Sequence, residues 1–157
     1  MWFALFEWCQ KSALAMAILD TEWLTPLFST MHEIGMTLLL GGVLVTNLRM
    51  LGLIMTRRPV SEVVTELRPW IVSGLVIMLT TGLGLLLPEA VRWYRSDPFR
   101  MKMAFLLAAL VFQFTIHRSV AQNGSASLGL CRTVGALSLV LWFGVGVGGR
   151  AITFLGE

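Results

Sequence analysis

Residues 27–50 read LFSTMHEIGMTLLLGGVLVTNLRM, and no charged side chain interrupts them between Glu33 and Arg49. The hydrocarbon core of a bilayer is about 30 Å thick and takes about 20 apolar residues of helix to cross. The stretch meets that length, and three more of the same kind follow. They read WIVSGLVIMLTTGLGLLL at 70–87, MKMAFLLAALVFQFTI at 101–116 and VGALSLVLWFGVGVGGRAITFL at 134–155. An all-α fold is expected: an integral membrane four-helix bundle with spans over about 27–50, 69–88, 100–117 and 132–155.

Composition agrees with the runs. Hydrophobic residues make up 56% of the 157 and charged ones 13%, against about 25% charged in an ordinary soluble domain. The connections are too short to hold a soluble catalytic domain, so residues 1–157 are read as one membrane domain. A net charge of +3 does not point to nucleic acid, because the basic residues sit at helix ends, where lipid headgroups and topology account for them.

Residues 1–22 are too broken by Glu7, Lys11 and Asp20 for a fifth span, and no basic segment precedes them as in a signal peptide. They are expected to form an interfacial amphipathic helix, with Glu7 and Lys11 paired one turn apart. Trp2, Phe3, Phe6 and Trp8 then suit the headgroup region. Lys and Arg divide evenly between the two membrane faces, which leaves the basic-residue rule tied. The acids gather on the side of the termini, and this favours periplasmic termini in a bacterial inner (cytoplasmic) membrane. Cys9 and Cys131 fall on opposite faces in that topology, which excludes a disulfide between them.

Pro26 suits the first turn of the first span, Arg57-Arg58-Pro59 follows its end, Arg68-Pro69 opens the second, and Ser96-Asp97-Pro98 caps the third. Three- and four-residue spacing marks the inward faces. On the first span the stripe is His32, Gly35, Leu39, Gly42, Thr46 and Arg49; on the second, Ser73, Ile77, Thr81 and Gly84. The third carries Lys102, Leu106, Ala109, Gln113 and either His117 or Ile116, and the fourth Gly135, Ser138, Trp142 and Gly149. Membrane helices associate through close backbone approach and scattered polar contacts, so Gly35, Gly42, Gly84, Gly144 and Gly148 are read as helix-packing positions.

Ionisable groups inside a membrane are costly and mark candidate functional sites. Here they are His32, Glu33, Arg49 and His117, with Asn47 and Gln113 as neutral companions. Inward histidines suggest b-type haem. The first and third spans run in the same direction, however, and His32 opens one while His117 closes the other. They are separated by about 24 Å along the normal, whereas two imidazoles on one iron sit about 4 Å apart. One haem held by both is disfavoured; a haem on one of them, with Met31 or Met103 opposite, stays open. The plainer reading makes His32 an interfacial histidine beside Glu33, and His117 a helix-end residue beside Arg118. Arg49 either snorkels to the interface or reaches Gln113 and His117. No catalytic residues, metal ligand set or phosphate loop stands out, and no enzyme activity is expected.

The strings Met31-His32-Glu33-Ile34-Gly35, Gly41-Gly42 and Asn47-Leu48-Arg49-Met50-Leu51-Gly52 carry a resemblance, as do Pro69-Trp70, Asp97-Pro98-Phe99-Arg100, His117-Arg118 and Gly149-Arg150. Together they resemble a family of small bacterial four-helix integral membrane proteins with no established activity. That family carries Asp where this chain has Asn47. Its architecture is similar to cytochrome b and copper-resistance D-type membrane domains, which is analogy of fold alone.

Two functions of different class follow. One is a non-enzymatic accessory or scaffold subunit, packed among membrane lipids against other subunits of a larger, energy-transducing complex or against its own copies. The other is a b-type haem electron carrier using His32 or His117, with Arg49 and Arg150 as further cofactor-binding candidates. In the first no cofactor is needed; in the second it is haem b.

Overall fold

Leu24–Leu51 forms one uninterrupted helix, α3, as a segment in lipid must when its backbone has only itself for hydrogen bonding. Its end is made by Gly52, in the left-handed region at φ 78°, whose N–H reaches back to the Leu48 and Arg49 carbonyls, while Leu53 donates to Leu48 at 3.0 Å. This is the glycine termination that spares a Cβ strain. The computed structural model describes residues 2–155, with side chains from 3 to 151. Among them the chain is a series of helices joined by short turns and contains no strand.

Before α3 come α1 (Trp2–Gln10) and α2 (Ala13–Asp20). After it come α4 (Val60–Leu86), a 3₁₀ turn (Leu87–Glu89) and α5 (Ala90–Arg95). Then follow α6 (Asp97–Phe112), a π turn (Gln113–His117), α7 (Arg118–Gln122) and α8 (Leu128–Leu155). Among the described residues four segments are long and apolar enough to cross a membrane: Leu24–Leu51, Val60–Arg95, Asp97–Gln122 and Leu128–Ala151. The protein is a multi-pass helical bundle.

Several expected boundaries move. The amino-terminal segment is two helices rather than one, broken where the Ser12 hydroxyl caps the Ala15 N–H. Lys11 uses its backbone N–H on the Glu7 carbonyl, and no Glu7–Lys11 ion pair forms among the described residues. Phe3 and Phe6 pack on Tyr94 while Trp8 stays 71% exposed; the side chain of Trp2 lies outside the described residues. Pro69 does not open a helix: α4 starts at Val60 and runs through it. The proline costs the Thr65 carbonyl its partner, yet both residues are exposed, so water or headgroups replace the bond. The third span does not stop at His117 but passes through the π turn to Gln122.

The inward faces hold for α3 (Gly35, Leu39, Gly42, Thr46) and for Gly135, Ser138 and Trp142 of α8, while Gly149 is only half-buried and Val134 and Val145 join the buried face. On α4 the buried face is Ile71, Gly74, Met78, Thr81 and Gly84, with Ser73 exposed. Ser73 satisfies its hydroxyl on the Trp70 carbonyl at 3.2 Å, so it needs no inward partner. Leu39, Val43, Ile71, Met78, Leu106, Ala109, Trp142 and Val145 form the central core.

Three sides of the bundle are packed: α3 on α4, α3 on α8 and α6 on α8. Glycines make them tight. A Cβ on Gly35 would lie 2.8 Å from the Met78 backbone nitrogen, and one on Gly74 would lie 2.6 Å from that of Leu39. Gly42 receives Ile71, Gly84 faces Phe28, Gly144 receives Phe105 and Gly148 lies against Lys102. The fourth side differs: α4 and α6 do not pack closely on each other, and α7 bridges them at one end only.

Candidate functional site

The bundle holds two polar sites, each built on one histidine. At the first, α3 supplies Asn47, the π turn supplies Gln113 and His117, and α8 supplies Ser138; all four are buried, with Asn47, His117 and Ser138 at 0% exposure. Asn47 Nδ2 donates to Ser138 Oγ at 3.0 Å, and Ser138 donates to Gln113 Oε1 at 3.3 Å. Gln113 Nε2 lies 3.2 Å from His117 Nδ1, and His117 Nε2 lies 2.9 Å from Asn47 Oδ1. An amide oxygen only accepts and an amide nitrogen only donates. The ring is therefore neutral, protonated on Nε2 and bare on Nδ1. The four side chains form a closed circuit in which each side-chain nitrogen and oxygen has a partner.

The π turn makes this circuit possible. Gln113 and His117 are four apart, and the wider turn lets both aim at α3 and α8 from one face. His117 is accordingly not the helix-end residue that its neighbour Arg118 suggests. A metal or haem iron on His117 needs a free nitrogen lone pair, and Gln113 occupies the one it has. The site does not fit an iron ligand.

The second site lies toward the other end of α3. His32 Nδ1 is 3.1 Å from Thr81 Oγ1, and Thr81 commits its proton to the Ile77 carbonyl at 2.6 Å. His32 must then donate from Nδ1, which leaves the lone pair on Nε2. The ring is also hydrogen-bonded to the Met78 backbone. Gly82 makes room for the ring: a Cβ there would stand 3.1 Å from His32 Cε1. Lys102 and Glu33 are within electrostatic reach. Lys102 forms no ion pair among the described residues, and its chain lies along Gly148 and Gly149. An oriented Nδ1–H is how a metal-ligating histidine is held, and Nε2 is the nitrogen with which His32 could hold a haem iron.

The two sites are well apart. Asn47 touches His117 and sits fifteen residues beyond His32 on the same helix, which is about 22 Å. The structure does not bring the two histidines together. Arg49 joins neither site; its Nε and Nη2 donate to the Arg58 carbonyl at 2.8 and 2.6 Å. Arg58 in turn pairs with Glu66 at 2.5 Å and Glu62 at 2.6 Å, and these bonds raise its already high pKa, Glu66 first. Arg49 thus pins the loop after α3 to the start of α4. Arg150 is exposed at the far end of α8, beside an apolar groove of about 630 Å³ between α3 and α8.

Three participants escaped the sequence reading as site members: Ser138, Thr81 and Lys102. Ser138 and Thr81 stood on inward stripes, which is the signal that finds them; their partners are set by helix order. The Trp142 indole N–H is buried with no acceptor among the described residues. No group of three or more His, Cys, Asp or Glu capable of holding a metal ion is found among those residues.

The model of a family described as "Family of unknown function (DUF6644)" matches residues 5–155. The chain belongs to that family. No curated protein and no solved structure matches it.

Proposed function

We propose that this member of the family is a non-enzymatic accessory subunit of a larger membrane complex in a bacterial inner membrane, docking through its open α4–α6 side. The observation that carries the reading is that three sides of the bundle are packed through glycines and the fourth is not. Val72 and Phe114 line the small gap there, and Leu79 and Leu107 continue those faces seven residues along each helix. Leu79 is 41% exposed and Leu107 66%. Lipid is as apolar as leucine, so a partner helix binds such a side by shape and packing. The test is purification from native membranes in mild detergent. A single partner in fixed stoichiometry, lost when Leu107→Trp blocks the side, supports the proposal; a protein of monomer mass throughout contradicts it.

A second reading has its own observation, the His32 ring oriented by its Nδ1 contact with Thr81 at 3.1 Å. Under it the protein carries one b-type haem, which supplies one-electron transfer, and His32 holds the iron. A reduced-minus-oxidised visible spectrum decides. The haem reading requires an α band abolished by His32→Ala and retained by His117→Ala. A colourless protein, or a band that survives His32→Ala, removes it.

A further inference from the structure

We infer that the groove between α3 and α8 binds one acyl chain of an anionic phospholipid, with its phosphate at Arg150. Leu40 and Leu44 from α3 and Val140, Phe143 and Val147 from α8 line the groove, which has a volume of about 630 Å³. It runs along α8 from Leu139 to Arg150, eleven residues or about 16 Å. Half of a bilayer's hydrocarbon core is about 15 Å. The groove therefore matches the depth of one leaflet, starting near the membrane centre and ending where headgroups begin. Apolar side chains line all of it except that end, where the exposed Arg150 closes it. Shape selects a chain, and charge selects a phosphate over a net-neutral headgroup.

Gly146 makes the groove deep. A Cβ at this position meets nothing within 4 Å, so no neighbouring helix needs the glycine for close approach. Its missing side chain leaves space on the lipid side only. The glycines that do serve packing, Gly144 and Gly148, face Phe105 and Lys102 on α6. Gly146→Leu consequently fills the groove and leaves the bundle contacts alone.

The test is native mass spectrometry of the full chain in mild detergent, titrated with phosphatidylglycerol and, separately, with phosphatidylcholine of the same acyl chains. The expected result is a one-to-one adduct with phosphatidylglycerol at about fivefold lower lipid concentration, the worth of one arginine at an anionic surface. Arg150→Gln is expected to remove that preference, Arg57→Gln in the loop at the opposite face to keep it, and Gly146→Leu to lose both adducts with an unchanged helical circular dichroism spectrum. Equal binding of the two lipids by the parent chain, a preference that survives Arg150→Gln, or an adduct that survives Gly146→Leu in the folded protein would each overturn the inference.

Discussion

His117 and His32 carry the same imidazole in opposite circumstances. At His117 both nitrogens are engaged, and removal of any neighbour strands a buried polar atom. We expect Asn47→Ala to destabilise the bundle by about 1–2 kcal/mol, between the cost of an orphaned buried group and the small worth of hydrogen bonds in membranes. Detergent-induced unfolding measures it. Combined with His117→Ala the losses are expected to fall short of their sum, because one circuit is broken twice; strict additivity would show that the circuit does not act as a unit. Gln113 and His117 were recognisable as a pair from their spacing. Their closure onto Asn47 and Ser138 was not, since those contacts span 70 and 25 residues and depend on which helices are neighbours.

Between elements, glycine decides. Gly74 meets the backbone of α3 rather than the end of a flexible side chain, so even one methyl must push two helices apart. Gly74→Ala is expected to cost about 1–3 kcal/mol, the range for an overpacked core. Gly41→Ala, whose Cβ meets nothing within 4 Å, is expected to be neutral or to gain about 0.5–1 kcal/mol from helix propensity. Equal effects in the same unfolding assay would contradict the close approach. The spans themselves were readable because apolar length is a local property. Gly74 was missed because Ser73 was taken for the inward residue, and a serine that bonds its own helix can face either way. The start of α4 was missed because Pro69 was read as a helix opener. The preceding turns hold through the Arg58 ladder to Glu62 and Glu66, which places the polar start of the helix outside the apolar run that marks its span.

For the molecule as a whole, two polar sites about 22 Å apart lie near opposite leaflets, and one bundle side lacks a neighbour. The even spread of Lys and Arg left orientation to the acids, and the reading of periplasmic termini has a direct check. With Cys9 and Cys131 replaced by alanine, a membrane-impermeant maleimide is expected in intact cells to label Glu22→Cys, before α3, and to spare Ser125→Cys, in the exposed turn between α7 and α8. The reverse pattern would invert the topology and leave the bundle untouched.

The docking claim is tested most directly inside the membrane, by photo-crosslinking from a benzophenone amino acid placed at Leu79 or Leu107, with Phe143 on α8 as the control. One discrete protein adduct is expected from Leu79 and Leu107, and none from Phe143. Lipid adducts alone from all three positions would contradict it.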